Sequence, residues 1–203
     1  MESVGSWMAL NGRREAAHRI REEFFERTGR VNEDDRSFET RMNAFLEYLL
    51  LDHRLEDPRG PETWLEAYVV ERAEHLSVRE RALLASLSAG HRSLFRLIAR
   101  PAQQLHLSDM LYGGQWLVAL PAALLGLELG DVFEARLVSL EGRVVLLHSV
   151  LHHPSDAAPL VARIVEKGLD RGEDPQVLAG RLSAMLLRHD RYPGMNLLQA
   201  YGW

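Results

Sequence analysis

The stretch "DVFEARLVSLEGRVVLLHSVLHHPSD", residues 131–156, decides how this chain is read. Within it, "LVSLEGRVVLLHSVL" (137–151) places apolar and β-branched runs on either side of Glu141-Gly142, and so predicts a hairpin turning at that pair. The stretch ends on three histidines, His148, His152 and His153, with Asp156 close behind. On a helix, His148 and His152 would share a face at i, i+4 and offer a metal two ligands. In a strand they also share a face, but roughly 13 Å apart, too far for one ion. His152 and His153 then point to opposite faces. The expectation is therefore a strand running out into a turn, with the histidines at the sheet rim and Asp156 as a helix cap. The metal reading keeps those three histidines as its candidates.

Upstream lie further segments of strand length. "SLFRLIAR" stops at Pro101, and "QLHLSDML", "QWLVAL" and "DVFEARLV" follow, separated by Gly, Pro and Asp signals. "YGGQ" (112–115) reads as a tight turn before a strand. Together they predict a small antiparallel sheet or an SH3/OB-like barrel over 91–153.

Helical periodicity governs both flanks. Over 1–90, Ala17, Ile20 and Phe24 share a face with Gly29 as a stop, and Phe38, Met42, Phe45 and Leu49 repeat at helical spacing. Pro61 marks a helix start before Trp64 and Tyr68, and Ser77 with Glu80 forms a capping box. Over 154–203, Leu160, Val161, Ile164 and Val165 mark one helix. A second, with Asp174 as N-cap and Pro175 at N1, carries Leu178, Leu182, Met185 and His189 on its face. The fold class is α+β: a helical N-terminal region, the sheet or barrel, and a C-terminal helical segment whose aromatic tail packs back.

Composition narrows the function classes. The 203 residues are 46% hydrophobic and 26% charged, ordinary for a globular protein, with no cysteine and so no disulfide, thiolate nucleophile or cysteine zinc site. The N-terminus lacks a signal-peptide pattern, and the apolar run at 116–127 is too short to span a bilayer and is broken by Pro121 and Gly126. A cytoplasmic location is expected. The net charge of −5 gives no basic footprint for nucleic acid, and the arginines, interleaved with acids, read as solvated faces. A nucleic-acid rival needs Arg96, Arg100, Arg136 and Arg143 on one face, with Trp116 free to stack.

No Walker loop, dinucleotide fingerprint or nucleophile elbow is present, so no cofactor and no catalytic residue is assigned. "NEDD" (32–35) reads as a capping or solvated turn, and Glu39 and Glu47 as solvent-facing. Trp116, Tyr192, Tyr201 and Trp203 are the candidates for contact with a partner, the terminal aromatics either docking back or anchoring another protein.

Four phrases, "VNEDDRSFETRMNAFLEYLLLDHRL", "ERALLASLSAGHRSLFRLI", "LHLSDML" and "LGDVFEARLVSLEGRVVLLHSVLHHP", resemble in order an uncharacterised family of cytoplasmic proteins from GC-rich bacteria. The likeness covers about residues 20–156. It implies the helix–sheet–helix order and brings no catalytic residue. Some similar proteins carry a cysteine-rich zinc motif, which this cysteine-free chain lacks. The functional expectation is a non-catalytic adaptor or regulatory protein that binds another protein. A homo-oligomer stays open, no membrane is involved, and the rivals are a nucleic-acid or ribosome-associated protein and a metal-dependent hydrolase.

Overall fold

A computed structural model describes residues 4–10, 12–120 and 126–202. Its architecture is α+β, with a curled antiparallel sheet between two sets of helices. The strands are β1 (His91–Ala99), β2 (Gln104–Asp109), β3 (Gln115–Ala119), β4 (Val132–Leu140), β5 (Arg143–Leu146) and the short β6 (Leu151–His152). Their order is β3-β2-β1-β4-β5, with β6 also on β4. The sheet curls into a half-barrel whose ends, β3 and β5, approach one another.

β4 organises the molecule. Residues Val132 to Val138 are all buried, so this strand is covered on both faces. Strand alternation sends Phe133, Ala135 and Leu137 into the half-barrel, where they meet Phe95, Leu105, Leu107 and Val118. The opposite face carries Val132, Glu134, Arg136 and Val138. Val132 joins the C-terminal helical core, and the two charged residues meet partners described below. The β4–β5 turn has positive φ at both Glu141 (50°) and Gly142 (76°), the signature of a two-residue hairpin turn whose twist suits the strands.

Before the sheet come α1 (Val4–Met8), α2 (Arg13–Thr28), α3 (Phe38–Glu47), α4 (Trp64–Glu71) and α5 (Val78–Ser88). Ile20, Phe24, Phe25, Phe45 and Leu49 form their core, joined by Trp7 and Tyr68. Gly29, at φ 92°, ends α2. Pro61 does not start α4. Thr63 is the N-cap, accepting from the Glu66 N–H, because a side-chain acceptor satisfies an orphan donor and proline has none to offer. Ser77 and Glu80 close the capping box on α5.

α3 runs directly into a π-helical turn, Tyr48–Asp52, closed by the bond from His53 N–H to the Tyr48 carbonyl at 2.9 Å. The wider turn redirects the chain, so that Tyr48 and Asp52 face one side and Leu50 and Leu51 line another.

After the sheet come α6 (Ala158–Asp170), α7 (Pro175–Arg191) and α8 (Leu197–Ala200). Asp174 caps α7 by accepting from the Gln176 and Val177 N–H groups. Asp156 is not a cap: it sits inside a 3₁₀ turn, Ser155–Ala157, that leads into α6 without any side-chain cap. Among the described residues, no helix is long and apolar enough to cross a membrane. Pro121 and Trp203 lie outside the described residues.

Candidate functional site

The three histidines go three ways. Chain pairing stops at Leu146 and resumes at Leu151, so residues 147–150 leave the sheet between them. His148 is exposed on that connection. His152 faces outward with Nε2 3.1 Å from the Asp131 carboxylate. Asp131 is held below the usual carboxylate range: burial opposes this, but hydrogen bonds from the Glu128 N–H, Ser155 and His152 outweigh it. His153 is buried, its Nδ1 2.9 Å from the Tyr201 hydroxyl. Burial, then the charges of His152 and Arg41, push its pKa down to about 3, so it is neutral. Among the described residues, no three His, Asp or Glu side chains gather as metal ligands.

The aromatic candidates are equally dispersed. Tyr201 is fully buried among the C-terminal helices, its ring near those of His153 and His189. Tyr192 is exposed. Trp116 packs on the half-barrel core and stacks on His91, with centroids 5.4 Å apart. Of the four arginines considered for nucleic acid, Arg100 and Arg143 are exposed and Arg96 half-buried. Arg136 is 1% exposed and engaged internally, so it cannot belong to an exposed basic face.

His91, Ser93 and Asp109 meet at the mouth of the half-barrel. The Asp109 carboxylate accepts from the Ser93 hydroxyl and from the Leu111 and Tyr112 N–H groups, and lies 2.5 Å from His91 Nε2. A serine nucleophile needs the histidine as its own hydrogen-bonded base. Here both side chains bond the carboxylate instead, an arrangement that holds the β2–β3 connection.

Two concave features remain. The first is a charged recess. Arg136 pairs with Asp52, lies 3.4 Å from the Glu47 carboxylate and donates to the Gly90 carbonyl. Glu47 is therefore not solvent-facing: it points inward to Arg136, and burial raises its pKa. Arg92 donates through Nε and Nη2 to Glu134, while its Nη1 is 3.9 Å from Asp52, beyond a hydrogen bond. Above this floor lies a cavity of about 50 Å³. Phe24, Tyr48 and Tyr112 wall it, Arg27 stands over the Tyr48 ring, and Ala179 and Gly180 of α7 close its far side.

The second feature is a groove of about 450 Å³ between α3 with its π turn and α5. Leu46, Leu50 and Leu51 form one wall, Leu84 and Leu87 the other, with Leu65 beneath. α5 buries none of its residues, and Val78 and Leu83 on it are largely exposed. Of the groove's leucines, Leu65 is buried and Leu50 and Leu84 pack against the N-terminal core, whereas Leu46 stands half exposed. The π turn that splits Asp52 from Leu51 leaves no sequence signal.

No family model, curated protein or solved structure matches the chain, so its resemblance to the GC-rich bacterial family rests on the quoted phrases alone.

Proposed function

We propose that the chain is a non-catalytic interaction protein, an adaptor that binds an amphipathic helix of another protein in the groove between α3 and α5. The observation that carries this reading is α5 itself. It is a well-capped helix rich in leucine, yet none of its residues is fully buried: Leu84 is partly covered by the N-terminal core, and Val78 and Leu83 stand exposed. A helix stabilised chiefly by packing keeps such a face for a partner.

The groove's chemistry selects the occupant. Its walls are mostly aliphatic, with Asn43 and His148 among them, and its one carboxylate, Glu47, is already committed to Arg136. α3 with its π turn and α5 supply most of the lining, beside Leu147 and His148 of the connection after β5, and among the described residues no strand lines it to which an extended peptide would add. A third helix, with its backbone bonds already made, inserts leucine-like side chains at i, i+3 and i+4 without leaving a polar group unpaired.

Leu46 is 47% exposed and lines the groove, which makes Leu46→Arg a clean probe. Affinity capture from nuclease-treated extract is compared for wild type and variant. The expected result is a stoichiometric protein partner held by the wild type and lost by the variant. Identical partners for both proteins, or retention of nucleic acid alone, contradicts the reading.

A further inference from the structure

We infer that the recess between α2, α7 and the outer face of β1 and β4 is a binding site for a small zwitterion, a free α-amino acid with a short side chain. Its lining carries two cations, Arg27 and Arg92, and two anions, Asp52 and Glu134. A ligand with one net charge would leave that charge uncompensated against the partly buried Arg92, Asp52 and Glu134, which is costly. A molecule that itself carries both signs brings no such penalty.

The placement of those charges fits the two ends of an amino acid. Arg92 spends Nε and Nη2 on Glu134 and holds Nη1 3.9 Å from Asp52, too far to bond it. That Nη1 edge and the Arg27 guanidinium at the mouth meet a carboxylate. The Asp52 and Glu134 carboxylates meet an ammonium. Both guanidiniums are steadied on rings, Arg27 5.0 Å from the Tyr48 centroid and Arg92 5.7 Å from that of Phe24, so the site is built before a ligand arrives. A volume of about 50 Å³ admits several water-sized groups, which limits the ligand to about five heavy atoms inside the recess.

Gly180 is the independent sign. It lies in the interior of α7, where glycine weakens a helix. The nearest atoms to a Cβ there are the Arg27 carbonyl and Cβ, at 3.6–3.8 Å, which is ordinary contact. Packing of α2 on α7 therefore does not demand glycine. Gly180 also lines the recess, so a methyl there would stand at the cavity wall beside Arg27.

Isothermal titration and thermal melts of the full chain with glycine and alanine test the site, against acetate, propionate, methylamine and ethylamine as singly charged analogues. With a dissociation constant on the order of 1 mM, 10 mM glycine or alanine is expected to raise Tm by about 3 °C. The analogues should move it by less than a third of that. Gly180→Ala should melt no lower than wild type yet bind at least ten-fold more weakly, and Arg27→Gln should also weaken binding without altering Tm in buffer. No shift with glycine or alanine, an equal shift with a singly charged analogue, or undiminished binding by Gly180→Ala overturns the inference. The groove plays no part in this test, so its outcome is separate from that of the adaptor reading.

Discussion

The guanidinium of Arg41 donates to both the hydroxyl and the carbonyl of Ser183, residues 142 positions apart in the chain, at 3.1 and 2.9 Å. The same group donates to the Ser37 hydroxyl and to the Thr28 carbonyl at the end of α2. One buried side chain therefore ties α2, α3 and α7 together at the back of the molecule.

Arg41→Met should lower stability by about 3 kcal/mol or more. It leaves two buried carbonyls and two hydroxyls without their donor, and that desolvation cost is what a lost charged partner exposes. Arg41→Lys should restore only part, since a single ammonium cannot cover the fork of contacts. Urea denaturation measures both, and a loss under about 1 kcal/mol for Arg41→Met would show the clasp to be redundant.

Stability should fall in mild acid through His153. Its folded pKa of about 3 lies well below the usual 6.5 of a free histidine. Below pH 6.5 the unfolded chain takes up a proton that the folded chain refuses until about pH 3. The stabilisation is thus full above pH 6.5 and is lost progressively as pH drops toward 3, by about 2 kcal/mol at pH 5. Denaturation midpoints of wild type and His153→Phe at pH 7.5, 6 and 5 test this. The variant should show the shallower dependence, and parallel curves would refute the assignment.

Tyr201 anchors the C-terminal turn. Tyr201→Phe keeps the packing but removes the bond to His153, and about 1 kcal/mol should be lost. Tyr201→Ala empties a fully buried site and should cost about 3–5 kcal/mol. If both variants unfold at the same urea concentration, the ring contributes no packing.

Leu46→Arg and Leu83→Arg should each change stability by no more than about 0.5 kcal/mol, because both side chains are nearly half exposed and touch little that is buried. A loss above 2 kcal/mol in calorimetry would mean that the face belongs to the core of this chain.

What could be read from sequence was local. The hairpin at Glu141-Gly142, the capping box at Ser77 and the Asp174 cap depend on neighbours within a few residues, and the structure has all three. Pro61 and Asp156 misled because cap-forming residue types nearby compete for the same role, and only the folded turn decides between them. Arg136 and Glu47 read as surface charges because their partners lie far along the chain, Asp52 being 84 residues from Arg136. The histidine cluster held three neighbours in sequence that the break between β5 and β6 sends in separate directions. The recess depends on the π turn at Tyr48–Asp52, whose five-residue bond has no compositional mark.

The measurement that bears most directly on the adaptor account is site-specific photo-crosslinking in the cells that make this protein, with the crosslinker at Leu46 or Leu87, which line the groove, and, as a control, at Ile98, which is exposed on β1 and does not line it. The account predicts that Leu46 and Leu87 capture the same protein, through a segment with leucine-like residues at i, i+3 and i+4, and that Ile98 does not. Capture of that protein equally from Ile98, or capture from the groove only of a second copy of this chain or of nucleic acid, would contradict it.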